Sequence, residues 1–453
     1  MPPQTPTCPA LDLPKALLMT PVTSTDSSPV CKPSPTLVNI DRAHQVMERH
    51  SLDAVVGSGY KNLYYLSGHM PDSVLGQFHD ILGAAVLPAR SDVTPALCVS
   101  DYDLAYLVTR PTWMPELRMF SAKARSSASY LLRMIADGVG IDTSLREPLR
   151  AAYLKTRELS SEDLVSALCG YFEANMGARS TWRVGFDDLR LGGQVAARLN
   201  GRIEVVDALD IFRDIRMVKT APEIELLRAG ARINDQALID ASKVVGHGEP
   251  VMAMVDAYRS SVVRRGAKFL GERGMMFGAG PDGGFVLDND WAEARRLGAG
   301  DVVVYDAIGT YKLYHMDIAR TGAIGEPSRR LVELHNIVRD ALAAAEAALR
   351  PGVQTMDARA VAEKVIAGHG LEPMLTTMVF HGIGLDVLEY GDQVHKTRGW
   401  TVEANMAMNF EVFYRDPEVG GVHLEDTVMV TPTGLEHLSS LPRELIVTPI
   451  KPS

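Results

Sequence analysis

Apolar residues first become periodic at Leu37. Upstream, residues 1–36 carry Pro, Ser and Thr with no repeating apolar positions, as in TPVTSTDSSPVCKPSP. Such a stretch cannot bury enough surface to offset its ordering entropy, so a flexible tail is expected there. From Leu37 onward short apolar runs alternate with helical stretches. Leu52–Val56, Tyr64–Leu66, Gly83–Pro88 and Pro95–Ser100 read as strands, which predicts an α/β unit over residues 37–212.

A second unit is expected over residues 213–453. Thr220-Ala-Pro-Glu223 offers a capping residue, an early Pro and a Glu three positions on, the signature of a helix start. Leu227, Ala231, Leu238, Ala241 and Val245 then recur at helical spacing, until Gly246 to Pro250 stops the run. A further helix is expected from Met252 to Arg264, and an Ala-rich one from Ser328 to Leu349, ended by Pro351-Gly352. Asp301–Asp306 and Met316–Gly322 read as two strands joined through a connection containing Gly309. Met406–Phe413 and Leu424–Val430 read as the last strands. The second unit is therefore α+β with a mostly antiparallel sheet.

Composition narrows the function classes. The 453 residues hold 46 Lys and Arg against 56 Asp and Glu, a formal net charge of −10, which argues against a nucleic-acid partner. No apolar run approaches the roughly 18 residues of a membrane span. Cys8, Cys31, Cys98 and Cys169 show no CxxC pair, so neither a disulfide framework nor a thiolate metal site is expected. With no basic-then-apolar leader, this suggests a cytoplasmic protein.

Candidate chemistry lies in the second unit, where acids interrupt apolar strands. Asp306 ends one strand, Asp317 lies on the next, Glu411 follows Asn409-Phe410, and Glu425 follows Leu424. A carboxylate in such a place is costly unless paired. Each alone reads more often as a strand-edge residue or half of an ion pair than as a ligand. Carboxylates with an imidazole suit zinc, manganese, cobalt or iron, and alternate strand residues share a face.

The segments YDAIGTYKLYHMDIARTG, FHGIGLDVLE, NFEVF and HLEDTVMVT, taken in order, resemble the pita-bread metallopeptidase family of prolidase, aminopeptidase P, methionine aminopeptidase and creatinase. The successive intervals between Asp306, Asp317, His381, Glu411 and Glu425 are 11, 64, 30 and 14 residues. IDRAHQVMERHSLDAVVGSGYKNLYYLSG is similar to the creatinase-type N-terminal domain. The resemblance implies a pita-bread catalytic domain, two divalent metal ions, a small-molecule substrate and a homodimer. It implies that Asp306 chelates one metal, that His381 and Glu411 hold the other, and that Asp317 and Glu425 bridge them. Glu411 is then the general-base candidate for a bridging water. His315, two residues before Asp317, is read as a satisfied histidine and not as a ligand.

The departures from the pattern concern substrate. The histidine usual seven residues after the metal histidine is Leu388, the one four residues before it is Thr377, and the one about seventeen before the first Asp is Asn289. The Glu-Pro usual at the fourth ligand is Glu411-Val412, and the Arg usual two before the last Glu is His423. Those imidazoles serve as oxyanion donors, so peptidase activity is doubtful and hydrolysis of an amide-type C–N bond in a small molecule or modified amino acid is expected. His423 is the candidate proton donor or substrate contact. The other expectations are an Xaa-Pro dipeptidase or aminopeptidase with altered contacts, and a lyase of the dimethylsulfoniopropionate-cleaving type. His69, Asp72, Phe78 and His79, in the loop Gly68–His79, are candidate contacts in a partner subunit's site. Gly278–Gly283 fits GxGxxG but carries Pro281 and opens no helix, so no dinucleotide site is expected.

Overall fold

The computed structural model describes residues 34–70, 83–120, 150–152, 154–155, 160–177, 180–269, 275–280, 295–371, 376–391 and 399–450. The expected tail up to residue 33, together with Asp72, Phe78, His79, Pro281 and Asn289, lies outside the described residues.

The first half alternates helices and strands. In chain order these are α1 (Ile40–Arg49), β1 (Ala54–Gly57), α2 (Tyr60–Ser67), β2 (Gly83–Pro88), β3 (Ala96–Ser100), α3 (Leu104–Thr109), β4 (Glu116–Phe120), α4 (Leu164–Asn175), β5 (Trp182–Phe186), α5 (Leu189–Arg198) and β6 (Ile203–Asp207). The strands form one six-stranded sheet in the order β4-β3-β2-β1-β5-β6. The strand expected at Tyr64–Leu66 is instead part of helix α2. Its buried positions, Asn62, Leu63, Tyr65, Leu66 and Ser67, follow helical spacing, and Gly68 ends it in the left-handed conformation. Three consecutive apolar residues cannot reveal that period; the flanking glycines do.

The second half continues with α6 (Leu209–Arg216), α7 (Ala221–Ser242), α8 (Val251–Arg264), β7 (Lys268–Phe269), β8 (Met275–Ala279), β9 (Val302–Tyr311), β10 (Tyr314–Ile324), α9 (Arg329–Ala348), α10 (Thr355–Gly368), β11 (Thr376–Gly382), β12 (Ala407–Asp416), β13 (Gly420–Val430), β14 (Leu435–His437) and β15 (Ile446–Thr448). Thr220 and Glu223 form the capping box at the start of α7, and Ser328 caps α9 by accepting from the Leu331 N–H. The nine strands run β11-β12-β13-β10-β9-β7, with β14 on β13, β15 on β10 and β8 on β9. Among these pairings only β10 with β15 is parallel. Helix α10 carries no equally clear start signal in the sequence and went unanticipated.

The β9–β10 hairpin turns at Lys312-Leu313, whose φ angles of 47° and 71° fit a two-residue turn of the primed type. Gly309 was expected in that connection but lies within β9. A Cβ there would meet the Lys268 carbonyl oxygen at 2.9 Å, so its role is to admit β7.

Helices cover one side of the large sheet. Leu331, Leu334, Val338 and Leu342 of α9 pack with Phe410, Val412, Leu424 and Val428, while α7 and α8 cover Val303, Tyr305, Ala307 and Ile318. Each Val, Leu, Ile or Phe so buried contributes about 1.5–3 kcal/mol. Because neighbours along a strand point to opposite sides, the residues between these apolar ones face away from the helices. Among the described residues no helix is long and apolar enough to cross a membrane.

Candidate metal centre

Strand register gathers the candidate acids on the face opposite the helices. Asp306 pairs with Ala319 and Asp317 with Ile308, so the two aspartates sit diagonally on one side of the hairpin. Ala319 pairs in turn with Glu425, and Glu425 with Glu411. His381 pairs with Asn409, two residues before Glu411 and therefore on the same face. Five strands, β9 to β13, thus deliver one candidate ligand each to one surface, where Asp306, Asp317, His381 and Glu425 are buried and Glu411 is partly open.

The polar atoms converge in two overlapping groups. One ligating atom each from Asp317, His381 and Glu425 lies within 4.8 Å of the others, and the same holds for Glu411, His423 and Glu425. His381 Nε2 is 3.2 Å from Glu425 Oε1, which also accepts at 2.8 Å from the Asn409 side-chain amide. His423 Nε2 is 2.9 Å from Glu411 Oε2. His423 is positioned by exchange with Thr321, whose hydroxyl accepts the His423 N–H and donates to its carbonyl, both at 2.9 Å. The Thr427 hydroxyl donates to the Asp317 carbonyl at 2.9 Å. Asp306 stands outside both groups but feels the charges of His423, Glu425 and Glu411.

Packing carboxylates together away from water makes them resist ionisation. Burial, followed by the neighbouring Glu425 and Glu411, pushes the Asp306 carboxyl up to about 8, against the pull of His423. Burial, Glu425 and Asp306 hold the Asp317 carboxyl well above the usual carboxylate range. Glu411 moves the other way: burial raises it, but the bond and charge from His423 more than offset that. Burial correspondingly lowers His423, and Glu411 and Asp306 more than restore it.

A divalent cation fits this donor set. Asp317 Oδ1 is buried with no hydrogen-bond partner, as are Asn409 Oδ1 and His423 Nδ1. Four acids and an imidazole crowd together without a neutralising Lys or Arg in ion-pair contact among the described residues. A cation removes that repulsion and inverts the local preference for protonated carboxyls. Among the described residues the other cluster of this kind, Glu346, Asp426 and His437, is different: Arg443 bridges Glu346 and Asp426, and Arg320 pairs with Asp426 at 2.6 Å. Its charge is already balanced by guanidinium groups.

The substrate candidates divide. His423 belongs to the cluster. Thr377 is half-buried on β11, opposite Phe413, and its hydroxyl accepts from Arg415 at 2.7 Å. His69 is 3% exposed within the first half, with Nε2 3.8 Å from Asp103 Oδ1, and burial lowers its imidazole to about 4. It is not on the face of the cluster. His315 is buried, its Nδ1 3.2 Å from the Gly384 carbonyl. Leu388 is half-buried in the turn after β11.

Several neighbours escaped sequence reasoning. Asn409 and Thr427 could have been found by counting two residues from Glu411 and Glu425 along their strands. Phe413 and Arg415 lie on the same side of β12 as Glu411; the Phe413 ring stacks on His423 at 4.7 Å and carries the Arg415 guanidinium at 4.1 Å.

Comparison with known proteins agrees with this architecture. Residues 225–432 match the model of metallopeptidase family M24. An Xaa-Pro dipeptidase of Pyrococcus horikoshii is 24% identical over 405 residues, covering 89% of this chain and 97% of that protein. A probable dipeptidase PepE of Mycobacterium tuberculosis is 34% identical over 246 residues, covering 54% of this chain and 64% of that protein. The crystal structure of dipeptidase PepE from Mycobacterium ulcerans superposes with a TM-score of 0.66 and 25% identity, over 91% of this chain and 97% of that one.

Proposed function

Given that this chain belongs to metallopeptidase family M24, with the pita-bread fold, we propose that it hydrolyses an amide-type C–N bond in a small molecule or modified amino acid. The observation that carries this reading is the convergence of Asp306, Asp317, His381, Glu411 and Glu425 on one sheet face, beside a His423 bonded to Glu411.

In this reading the five residues would hold two divalent ions, which would supply Lewis acidity and a water of lowered pKa. The oxygen-rich donor set suits manganese among manganese, iron, cobalt and zinc. Glu411 accepts the proton of the attacking water as its oxygen adds to the carbonyl carbon. His423, 2.9 Å from that carboxylate, holds the proton and delivers it to the nitrogen as the C–N bond breaks. Thr321 fixes the His423 backbone from which the imidazole projects. We further propose a homodimer in the cytoplasm; the free, buried thiols of Cys98 and Cys169 accord with a reducing compartment.

A second reading, an Xaa-Pro dipeptidase with altered contacts, is favoured by the likeness to the Pyrococcus horikoshii enzyme along nearly its whole length. Against it stand Thr377 and Leu388 in place of imidazoles that would meet the scissile carbonyl. The test is turnover of Xaa-Pro dipeptides and N-acyl amino acids by the manganese-loaded protein in ¹⁸O-labelled water, read by mass spectrometry. We expect label in the carboxylate released from an N-acyl amino acid, at a rate at least about tenfold above the dipeptides. Faster dipeptide turnover would establish the second reading, and product free of label would indicate elimination.

A further inference from the structure

Beyond the acids, the face of the large sheet carries one cation of unusual standing. Other arginines of the second half have acidic partners: buried Arg320 pairs with Asp426, buried Arg216 with Asp386 and Glu389, and half-buried Arg443 with Glu346 and Asp426. Arg415, half-buried, has no carboxylate in ion-pair contact among the described residues. One of its terminal nitrogens donates to the Thr377 hydroxyl at 2.7 Å, and its flat face rests on Phe413 with the guanidinium carbon 4.1 Å from the ring centre. The remaining N–H groups donate to no described residue.

Its placement is set by register. Glu411, Phe413 and Arg415 alternate along β12 and share a side. Opposite Arg415 on β13 stands Gly421, which has no side chain to cover it, and opposite Phe413 stands His423. From the cluster outward the order is Glu411, then His423 at 2.9 Å, then Phe413 stacked on that imidazole at 4.7 Å, then the Arg415 guanidinium. Phe413 and Thr377 hold the fork in a fixed plane. A guanidinium so held, with donors unused, matches a carboxylate through two parallel N–H···O bonds. A half-buried cation that feels Glu411 only at a distance, with no carboxylate in ion-pair contact among the described residues, is also a site where a ligand anion recovers a desolvation cost already incurred.

We propose that Arg415, oriented by Thr377 and Phe413, binds the free carboxylate of the substrate and so restricts the enzyme to carboxylate-bearing amides, such as N-acylated amino acids. This assignment rests on the hydrolase reading above. Arg415 is a specificity residue: it touches the substrate away from the bond that breaks.

The experiment is calorimetric binding to the full chain freed of metal by chelation, so that no turnover occurs. The probes are the N-acetyl derivatives of alanine, leucine, phenylalanine and proline, each as the free acid and as the primary amide. For at least one pair the wild-type protein should bind the acid about tenfold or more tightly than the amide, as expected for a charge-assisted bidentate contact. In Arg415→Met that preference should fall to near unity. Arg415→Lys should keep part of it, and Thr377→Val should weaken it while retaining the charge. Equal binding of acid and amide throughout, no binding of either, or an undiminished acid preference in Arg415→Met would overturn the assignment. The two claims fail separately. Acid preference with no hydrolysis by the metal-loaded protein would strike the hydrolase reading, whereas hydrolysis of acid and amide alike would strike only the role of Arg415.

Discussion

At the scale of single residues, the pairing of His423 with Glu411 governs what the centre can do. A carboxylate asked to take a proton from water needs somewhere to send it, and the imidazole is bonded at 2.9 Å and stacked on Phe413, with its backbone held by Thr321. Replacing His423 by Gln preserves a hydrogen bond to Glu411 but removes the group that can hold a proton. We predict that His423→Gln lowers kcat by about 10²–10³-fold with metal content unchanged and KM altered little. Steady-state kinetics with metal analysis of the same preparation checks this; a kcat within twofold of wild type would remove His423 from the chemistry. The five candidate ligands were legible in the sequence only as an ordered set, since a single acid in an apolar strand has several explanations. Arg415 was not legible, because a charged residue near a strand end is commonplace until Phe413, Thr377 and the bare Gly421 are seen around it.

At the scale of elements, alternation along β9, β10, β11, β12 and β13 produces the site, and one cap shows how local signals are reused in the core. Thr220 and Glu223 were readable as a helix start from their spacing alone, and they form the capping box of α7. The sequence did not disclose that the Glu223 carboxylate is 1% exposed and also accepts from the Tyr314 hydroxyl at 3.0 Å. Burial above all pushes its pKa from 4.5 to about 7, against the pull of Lys219. The folded chain therefore binds more protons than the unfolded one between those values, and stability falls as pH rises through this window. Glu223→Gln resembles the protonated form. It should be nearly neutral at pH 4.5 and stabilising at pH 8, by on the order of 2 kcal/mol. Denaturant titrations at the two pH values check this, and equal effects at both would show that Glu223 ionises freely. The long capped helices α7 and α9 were legible, whereas α4 and α5, capped by Asp163 and Asp188, were not placed. Tyr64–Leu66 was not, because a run of three apolar residues carries no period.

At the scale of the whole molecule, the segment that follows His381 ties the two halves together. Glu389 is 1% exposed, 3.0 Å from Arg216 Nε and bonded to the Lys219 ammonium, while Asp386 accepts from Arg216 at 2.6 Å and from Lys61 of α2. Arg216 also donates to Asn62 at 2.9 Å. One apolar core joins Val46, Leu63 and Leu66 of the first half to Ile383, Leu385 and Ala407 of the second. The first half thereby braces the turn beside the candidate metal centre, and it does so through contacts so distant in sequence that no local pattern could announce them. The account depends most on that centre holding metal. Its most direct test is metal analysis of the manganese-reconstituted protein, paired with thermal melting before and after chelation, in the wild type and in Asp317→Asn. We predict about two ions per wild-type chain, a melting temperature several degrees lower after chelation, and loss of both ions and shift in Asp317→Asn. Fewer than about one ion per chain, with melting unchanged by chelation, would contradict the account.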